Sequence, residues 1–422
     1  MNNSLSISGF SETFEPLITE NRLPEAVSFI FNLAHEIFTR GEYKGVCLRL
    51  PELDAGLIQL SNLMRSNTEE APAPGTTHVC LVTEVYLTGG HRTVLNSICE
   101  EIPCHVIFTD LFERITTGKI PLNGLITPKA LSSITLNPDS LIGKIQSAVQ
   151  LLNSLSPKRV WLFNHHQDVV SLLAALIFDA GRRSIFVHHC DHDPGLGATI
   201  KFPVHLDFTE ELLHSCASIG LDPSLLALYM RSASRRANHQ GAHLVVVTAG
   251  SHSKFTGTMR GIKYRDVVRT LLHHRRVSIF HHIGAVSDQY IAEFKAFLAN
   301  SGIDPERMIF AGQVLSVSDY ALSVGAQVFL SSFPLGGGAT TSEIQSAGIP
   351  VVYFDPNQQE KPLCSIASVY ASPELEWRQL EDLHFILDKL FQDWDVFSDA
   401  AFRRYDKSYS RKVFLRQLEG LK

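Results

Sequence analysis

Short apolar runs of strand length alternate along this chain with amphipathic stretches of helix length, and they do so in two separate series. The first series has strand-like runs at 78–86, 105–109, 159–163 and 184–188, with helical spacing at 93–101, 140–155 and 168–180. The second begins after Arg236. Strand-like runs at 243–248, 277–281, 308–311, 326–331 and 350–354 are separated by helical stretches at 265–274, 287–301, 316–324 and 341–347. The runs are close to continuously apolar, the mark of strands buried on both faces, and the segments between them are long enough for crossover helices. The pattern predicts an α/β fold with two mostly parallel, helix-covered sheets: two Rossmann-like domains dividing near residues 230–240. In such folds ligands lie at the carboxyl ends of the strands, so a cleft faced by both domains is the expected binding place.

The flanks read differently. Within 20–67, Ala26, Phe29, Ile30, Leu33 and Ile37 recur at helical spacing, which predicts a helical N-terminal extension over 1–70. Ala71-Pro72-Ala73-Pro74-Gly75 reads as a linker. The first domain is then expected over 76–235 and the second over 240–385, with C-terminal helices over 386–422 that pack back on either half. A chain of 422 residues is too long for one ordinary core. Hydrophobic residues at 45% and charged residues at 19% exclude a disordered chain. A net charge of −6 argues against a nucleic-acid partner, and the short basic clusters at 231–236 and 273–276 read as solvated helix faces. Seven cysteines occur without a Cys-x-x-Cys pair, which points to a reducing compartment rather than a disulfide framework. Residues 1–15 lack the basic and apolar regions of a signal peptide, and no apolar run approaches the roughly 20 residues of a membrane span. The expected location is cytoplasmic, without a transmembrane segment, peripheral membrane contact remaining open.

The most specific local feature is Phe333-Pro334-Leu335-Gly336-Gly337-Gly338-Ala339-Thr340-Thr341-Ser342-Glu343. It follows a strand and opens a helix, so backbone N–H groups and the positive end of the helix dipole face whatever fills the loop. Three glycines let the main chain approach a diphosphate closely. Thr340 and Thr341 offer hydroxyl donors, and Glu343, a turn later, suits the paired hydroxyls of a ribose. The structural alternative is a turn in which Thr340 or Thr341 is the N-cap and Glu343 completes a capping box.

With these residues the chain resembles glycosyltransferases of the GT-B fold, and the protein O-GlcNAc transferase family in particular. The stretches 304–310 and 326–354 are similar to that family's nucleotide-binding half. That half carries a Pro-x-x-Gly-x-Thr-Thr loop, a carboxylate one turn on, and an Ala-Gly-x-Pro exit; here the exit is Ala347-Gly348-Ile349-Pro350. The resemblance implies that Gly336, Gly337, Gly338, Thr340 and Thr341 cradle a diphosphate and that Glu343 binds the ribose. Where the family has a histidine before its paired threonines, this chain has Gly338 or Ala339. The family also has a phosphate-reaching lysine after the first strand of this half. Lys254 is the matching candidate, with Arg260 and Lys263 behind it, and a solvated surface cation is the alternative for each. In the first half, 82–92 and 185–208 resemble the family more weakly. No tetratricopeptide repeat is legible in the residues before them.

Histidine is over-represented: there are nineteen, several in adjacent pairs. His91 follows the first strand-like run. His165 and His166 follow the run at 159–163; His188 ends the run at 184–188, and His189, Asp191, His192 and Asp193 follow it. All stand at carboxyl ends of expected strands. A glycosyl transfer without a metal needs a base for the acceptor hydroxyl, and histidine suits that task. His91 is the candidate base, with His189, Asp191 and His192 orienting it or binding the acceptor. Two alternatives stay open: a metal site in these His/Asp groups, with His165, His166 and Asp168 as a second partial set, and histidines that merely cap strand ends.

The sequence therefore points to a metal-independent glycosyltransferase with no bound cofactor, a nucleoside-diphosphate sugar (UDP-linked) as donor, and a glycan or protein as acceptor. The alternatives are a UDP-sugar 2-epimerase-like enzyme and a nucleotide-sugar-binding subunit without turnover.

Overall fold

The computed structural model describes residues 5–40, 42–65, 71–86, 90–137, 139–189, 192–233, 235–239, 241–355 and 365–421. The chain divides into two compact units, the second beginning at Ala227.

The first unit starts with three helices, α1 (Phe10–Thr19), α2 (Leu23–Arg40) and α3 (Pro51–Met64). The helical stretch expected over 20–67 is thus broken, and α3 restarts with Pro51 in its first turn, where the missing N–H costs nothing. A further helix, α1, lies in the Ser/Asn-rich head, held by Phe10 and Phe14, both buried. The three helices cross closely at Gly56, where a Cβ would stand 3.0 Å from Ile30 Cδ1 and 3.1 Å from Phe10 Cζ. Their buried stripes, including Val27, Ile30, Leu53 and Leu57, share one core with the sheet that follows. Each such side chain contributes about 1.5–3 kcal/mol by leaving water.

That sheet is built from β1 (His78–Val82), β2 (Cys104–Phe108), β3 (Ser132–Thr135), β4 (Arg159–Phe163), β5 (Ser184–His188), β6 (Val204–Asp207) and β7 (Pro223–Leu225). Helices α4 (Gly90–Glu101), α5 (Leu141–Leu155), α6 (Val169–Asp179) and α7 (Glu210–Ala217) connect them. Among the described residues the order is β3-β2-β1-β4-β5-β6-β7, and every pairing is parallel. β1 and β5 are buried at every position, as continuous apolar strands between two helix layers must be.

The second unit repeats the plan with β8 (Leu244–Ala249), the short hairpin β9 (Thr258–Met259) and β10 (Ile262–Lys263), α8 (Tyr264–His273), β11 (Val277–Ile283), α9 (Asp288–Asn300), β12 (Met308–Gly312), α10 (Val317–Ser323), β13 (Val328–Leu330), α11 (Gly338–Ser346) and β14 (Val351–Val352). The main sheet runs β12-β11-β8-β13-β14, parallel throughout. The C-terminal helices α12 (Asp382–Gln392), α13 (Trp394–Ser408) and α14 (Arg411–Glu419) belong to this unit. Trp394 fastens α13 by donating its indole N–H to Gln327 O at 2.8 Å. No described helix is long and apolar enough to cross a membrane.

Both sheets reverse direction about their first strand. The strand order turns between β1 and β4 in the first unit and between β8 and β13 in the second. At such a switch point the two neighbouring loops diverge to opposite faces and leave a crevice at the strands' carboxyl ends.

Candidate functional site

In the second unit the loops flanking the switch point are those after β8 and β13. The first carries Lys254 in a 3₁₀ turn, His252–Lys254. The second is the glycine loop. Lys254 Nζ donates to Gly336 O at 3.0 Å, joining residues 82 positions apart. The loop is anchored by Phe333, packed against Phe354 and Trp377 with ring centroids 5.2 and 5.1 Å away. Ser332 Oγ holds its curve by donating to Leu335 O at 2.6 Å. The glycines are favoured by close neighbours rather than by unusual torsion, most tightly at Gly336. A Cβ on Gly336 would meet Tyr370 Oη at 2.6 Å, one on Gly337 would meet Lys254 Nζ at 3.1 Å, and one on Gly338 would meet Leu228 Cδ1 at 2.9 Å.

α11 begins earlier than the sequence suggests. Its N-cap is Gly337, with no side-chain cap, and Gly338 is already helical. Thr340 and Thr341 therefore lie inside the first turn, and the capping-box alternative is not what forms. The first turn closes through Thr341 N to Gly337 O at 3.0 Å, leaving the N–H groups of Gly338, Ala339 and Thr340 without intrahelical acceptors. Thr341 Oγ1 is buried with no hydrogen-bond partner. A buried hydroxyl left unpaired costs of the order of 1–3 kcal/mol. Backbone donors and an ammonium thus meet at a run of three glycines, with an unpaired buried hydroxyl in the helix that follows, which suits an anion.

Glu343 is buried, and its Oε1 accepts from Ser318 N (3.0 Å), Ser316 Oγ (3.0 Å) and Ser318 Oγ (3.2 Å) at the start of α10. Its other oxygen accepts no hydrogen bond among the described residues, and the clamp on Oε1 fixes where that oxygen points. Arg260 stands at the β9–β10 turn in a left-handed conformation, φ 53°. Its guanidinium lies over Phe354, 5.4 Å from the ring centroid.

In the first unit the switch-point loops gather side chains instead. His91 on α4 stacks on His189, which follows β5, with ring centroids 4.3 Å apart. His165, which follows β4, lies 5.7 Å from His91 and 6.3 Å from His189. Its backbone N–H donates to Thr83 Oγ1 at 2.7 Å, which fixes its loop to the end of β1. Both ring nitrogens of His91 are buried and reach no hydrogen-bond partner of normal geometry among the described residues. Burial, reinforced by the like charges of His189 and His165, holds His91 well below the ordinary histidine range. Burial and then His189 push His165 down to about 3. Both rings are therefore neutral near pH 7.

Beside them is a carboxylate the sequence does not single out. Glu84, fully buried just past β1, accepts from Arg114 Nη1 at 2.9 Å and from the Tyr86 hydroxyl, and its Oε1 lies 4.0 Å from His165 Nδ1. Glu84 and Tyr86 fall in the 82–92 stretch that resembles the family, which is the signal that could have pointed to them. Arg114 comes from the loop after β2 and carries no motif. Ser316 and Ser318 were likewise hidden, being ordinary helix-start serines.

The remaining candidates lie elsewhere. His192 pairs with Asp193 Oδ2 at 3.3 Å, an acceptor it shares with Lys44. Asp191 lies outside the described residues. His166 stacks on Phe38 at 4.6 Å. Asp168, considered with His165 and His166 as a metal ligand, is instead a saturated helix cap. It accepts from Val170 N and Ser171 N, and from the hydroxyls of Thr83, Thr109 and Ser171, at 2.6–3.0 Å.

The sequence matches no family profile and no curated protein. Solved structures do share its fold. HepE of Anabaena, in complex with UDP-glucose, is 12% identical with a TM-score of 0.59, over 82% of this chain and 99% of that one. A mutant O-GlcNAc transferase of Thermobaculum terrenum is 12% identical with a TM-score of 0.57, over 96% and 81%. TarM of S. aureus, in complex with fondaparinux, α-GlcNAc-glycerol and UDP, is 10% identical with a TM-score of 0.57, over 82% and 99%. The chain thus has the two Rossmann-like units of the GT-B fold, as its resemblance implied.

Proposed function

We propose that this protein is a glycosyltransferase that moves a sugar from a UDP-linked donor to a hydroxyl of a glycan or protein acceptor. The observation that carries the proposal is Lys254 on the glycine loop at the start of α11, with Thr341 Oγ1 buried and unpaired. In the transfer the acceptor oxygen bonds to the sugar's anomeric carbon as the bond from that carbon to the diphosphate breaks. The diphosphate departs with the bonding pair. Lys254, the loop N–H groups and the dipole of α11 stabilise that charge, so no added divalent ion is needed. The acceptor's proton goes to a base. His91, held neutral, is assigned that role, with His189 stacked on it as its partner and His165 and Glu84 completing the polar group. Asp191 and His192 are assigned to acceptor binding. Glu343, its Oε1 already clamped, offers the other oxygen to the ribose. The UDP assignment is supported by fold-sharing proteins solved with UDP or UDP-glucose.

Thermal unfolding in the presence of UDP-, GDP-, ADP- and CMP-linked sugars tests the reading. A UDP-linked sugar at a hundredfold excess over its Kd adds about 2.7 kcal/mol to the unit that binds it. A shift with UDP-sugars is expected, and no shift with any of the four classes overturns the proposal.

A further inference from the structure

Four ionisable side chains away from the histidine group just described converge on one point in the first unit. β5 and β6 are paired with His188 opposite Asp207. The two-residue period of a strand puts His205 and Asp207 on one face of β6, and α7 brings Cys216 against them. All four residues are buried. His188 Nδ1 lies 3.1 Å from Asp207 Oδ1, 3.4 Å from His205 Nε2 and 3.4 Å from Cys216 Sγ. Asp207 Oδ1 lies 3.4 Å from His205 Nε2 and 3.7 Å from Cys216 Sγ.

A hydrogen-bonded cluster in which Asp207 Oδ1 accepts from its neighbours leaves part of this arrangement unexplained. A ring nitrogen carries at most one proton, yet His188 Nδ1 has three close neighbours. The atoms that would serve a hydrogen-bond network, His188 Nε2, His205 Nδ1 and Asp207 Oδ2, are buried without partners. One donor atom from each residue is turned inward, all four lying within 4.8 Å of one another. Around a tetrahedral ion with bonds of about 2.0–2.3 Å, ligand atoms are separated by about 3.3–3.8 Å. The separations given above run from 3.1 to 3.7 Å.

The geometry points to a structural zinc site formed by His188 Nδ1, His205 Nε2, Asp207 Oδ1 and Cys216 Sγ. Two neutral imidazoles, a carboxylate and a thiolate total two negative charges, which one divalent ion cancels, so the group can be buried at little cost. Thiolate with imidazole selects zinc over the hard oxygen-seeking ions. Four protein ligands leave no open position, which makes the ion a staple rather than a reactant. The fold has a use for a staple here. α7 has eight residues, and the separate core cluster at its foot consists of Leu48, Leu212 and Cys216. The ion would tie β5, β6 and α7 together and fix the end of β5, from which His189 departs. The site rests on no part of the glycosyl-transfer reading.

The test is metal analysis of the full-length protein after exhaustive dialysis against metal-free buffer. About one zinc per chain is expected. Cys216→Ala and His205→Ala should fall to background, while Cys216→Asp, which keeps an anionic ligand, should retain the ion. Cys99→Ala should retain it as well; that variant dismantles the separate buried thiol trio of Cys80, Cys99 and Cys104. Should the Ala variants fail to fold, cobalt substitution in the Cys99→Ala background decides the matter. Tetrahedral ligand-field bands with a thiolate-to-cobalt charge-transfer band are expected. Wild-type protein that takes up neither zinc nor cobalt overturns the proposal, as does cobalt uptake without the thiolate band. Metal retained in folded Cys216→Ala and lost in Cys99→Ala would assign it to the thiol trio, which equally overturns it.

Discussion

At the switch point of the second unit the candidate groups come from one contiguous loop and the helix it opens, joined by a single lysine. At the switch point of the first unit they come from the loops after β1, β2, β4 and β5, and they are side chains: Glu84, Tyr86, His91, Arg114, His165 and His189. Backbone donors and a fixed cation hold negative charge whatever its source. A stack of neutral imidazoles beside a buried carboxylate suits proton transfer. The same topology carries main-chain donors in one unit and ionisable side chains in the other, and the roles proposed for them can be broken experimentally.

The largest expected effect is on turnover. His91→Ala should lower transfer by about 10²–10⁴-fold while leaving UDP affinity unchanged, because the proposed donor grip belongs to the other unit. Rate assays beside UDP titration calorimetry would check it. Transfer at wild-type rate would remove His91 from the chemistry and leave the stack a packing feature. Since burial holds His91 well below the ordinary histidine value, the acid limb of kcat/KM should also lie well below the usual histidine pKa of about 6.5.

Lys254→Ala is the converse. A charge-assisted hydrogen bond is worth about 1.5–3 kcal/mol, so UDP affinity should fall about ten- to a hundredfold, a tenfold change being about 1.4 kcal/mol. The affinity loss should shrink with added salt, as expected of an ammonium that is only partly buried. Unchanged affinity would mean that Lys254 only braces Gly336 O.

Much of this contrast was legible in the sequence, for a physical reason. β1, β2, β4 and β5 are buried apolar runs and stand where the apolar pattern predicts. The glycine loop's place between a strand and a helix could be read because its signal lies in consecutive residues. β3 and β7 escaped notice as short, partly exposed edge strands. β6 did so because His205 and Asp207 interrupt its apolar run. The start of α11 was misplaced because threonines are common caps, whereas the Gly337 turn closes the helix three residues earlier than Thr340. Arg114 could not be read at all: it meets Glu84 only because β1 and β2 are paired. A site assembled from separate loops becomes visible only when the sheet has been ordered.

Acid should probe the histidine group of the first unit through stability. His91 and His165 are neutral in the folded state, with values below those of the unfolded chain. Their contribution is fully present above the unfolded value of about 6.5 and is lost as pH falls from there toward the folded values, about 3 for His165. Each such group costs up to about 1.4 kcal/mol per pH unit in that window. His165→Gln should therefore flatten the acid slope of unfolding free energy by at least one group's share. Urea unfolding between about pH 6.5 and 4.5 measures it, and an unchanged slope would mean that His165 titrates normally.

The smallest effect bears on whether Glu343 belongs to the binding half at all. Its Oε1 already holds the start of α10 through Ser316 and Ser318, which is sufficient reason for a buried carboxylate there. Glu343→Gln keeps an amide oxygen for Ser318 N and weakens charge-assisted bonds to neutral ones, a loss of about 1 kcal/mol. If Glu343 is only that clamp, the loss appears in the melting temperature and UDP binding is untouched. If its second oxygen takes the ribose hydroxyls, the amide offers an N–H there instead, and UDP affinity should fall by about tenfold, or 1.4 kcal/mol. The ribose-free ligand inorganic diphosphate should then bind as before. Loss of UDP and diphosphate together would show a disturbed loop rather than a lost contact, so the pair of ligands separates recognition from support at a single residue.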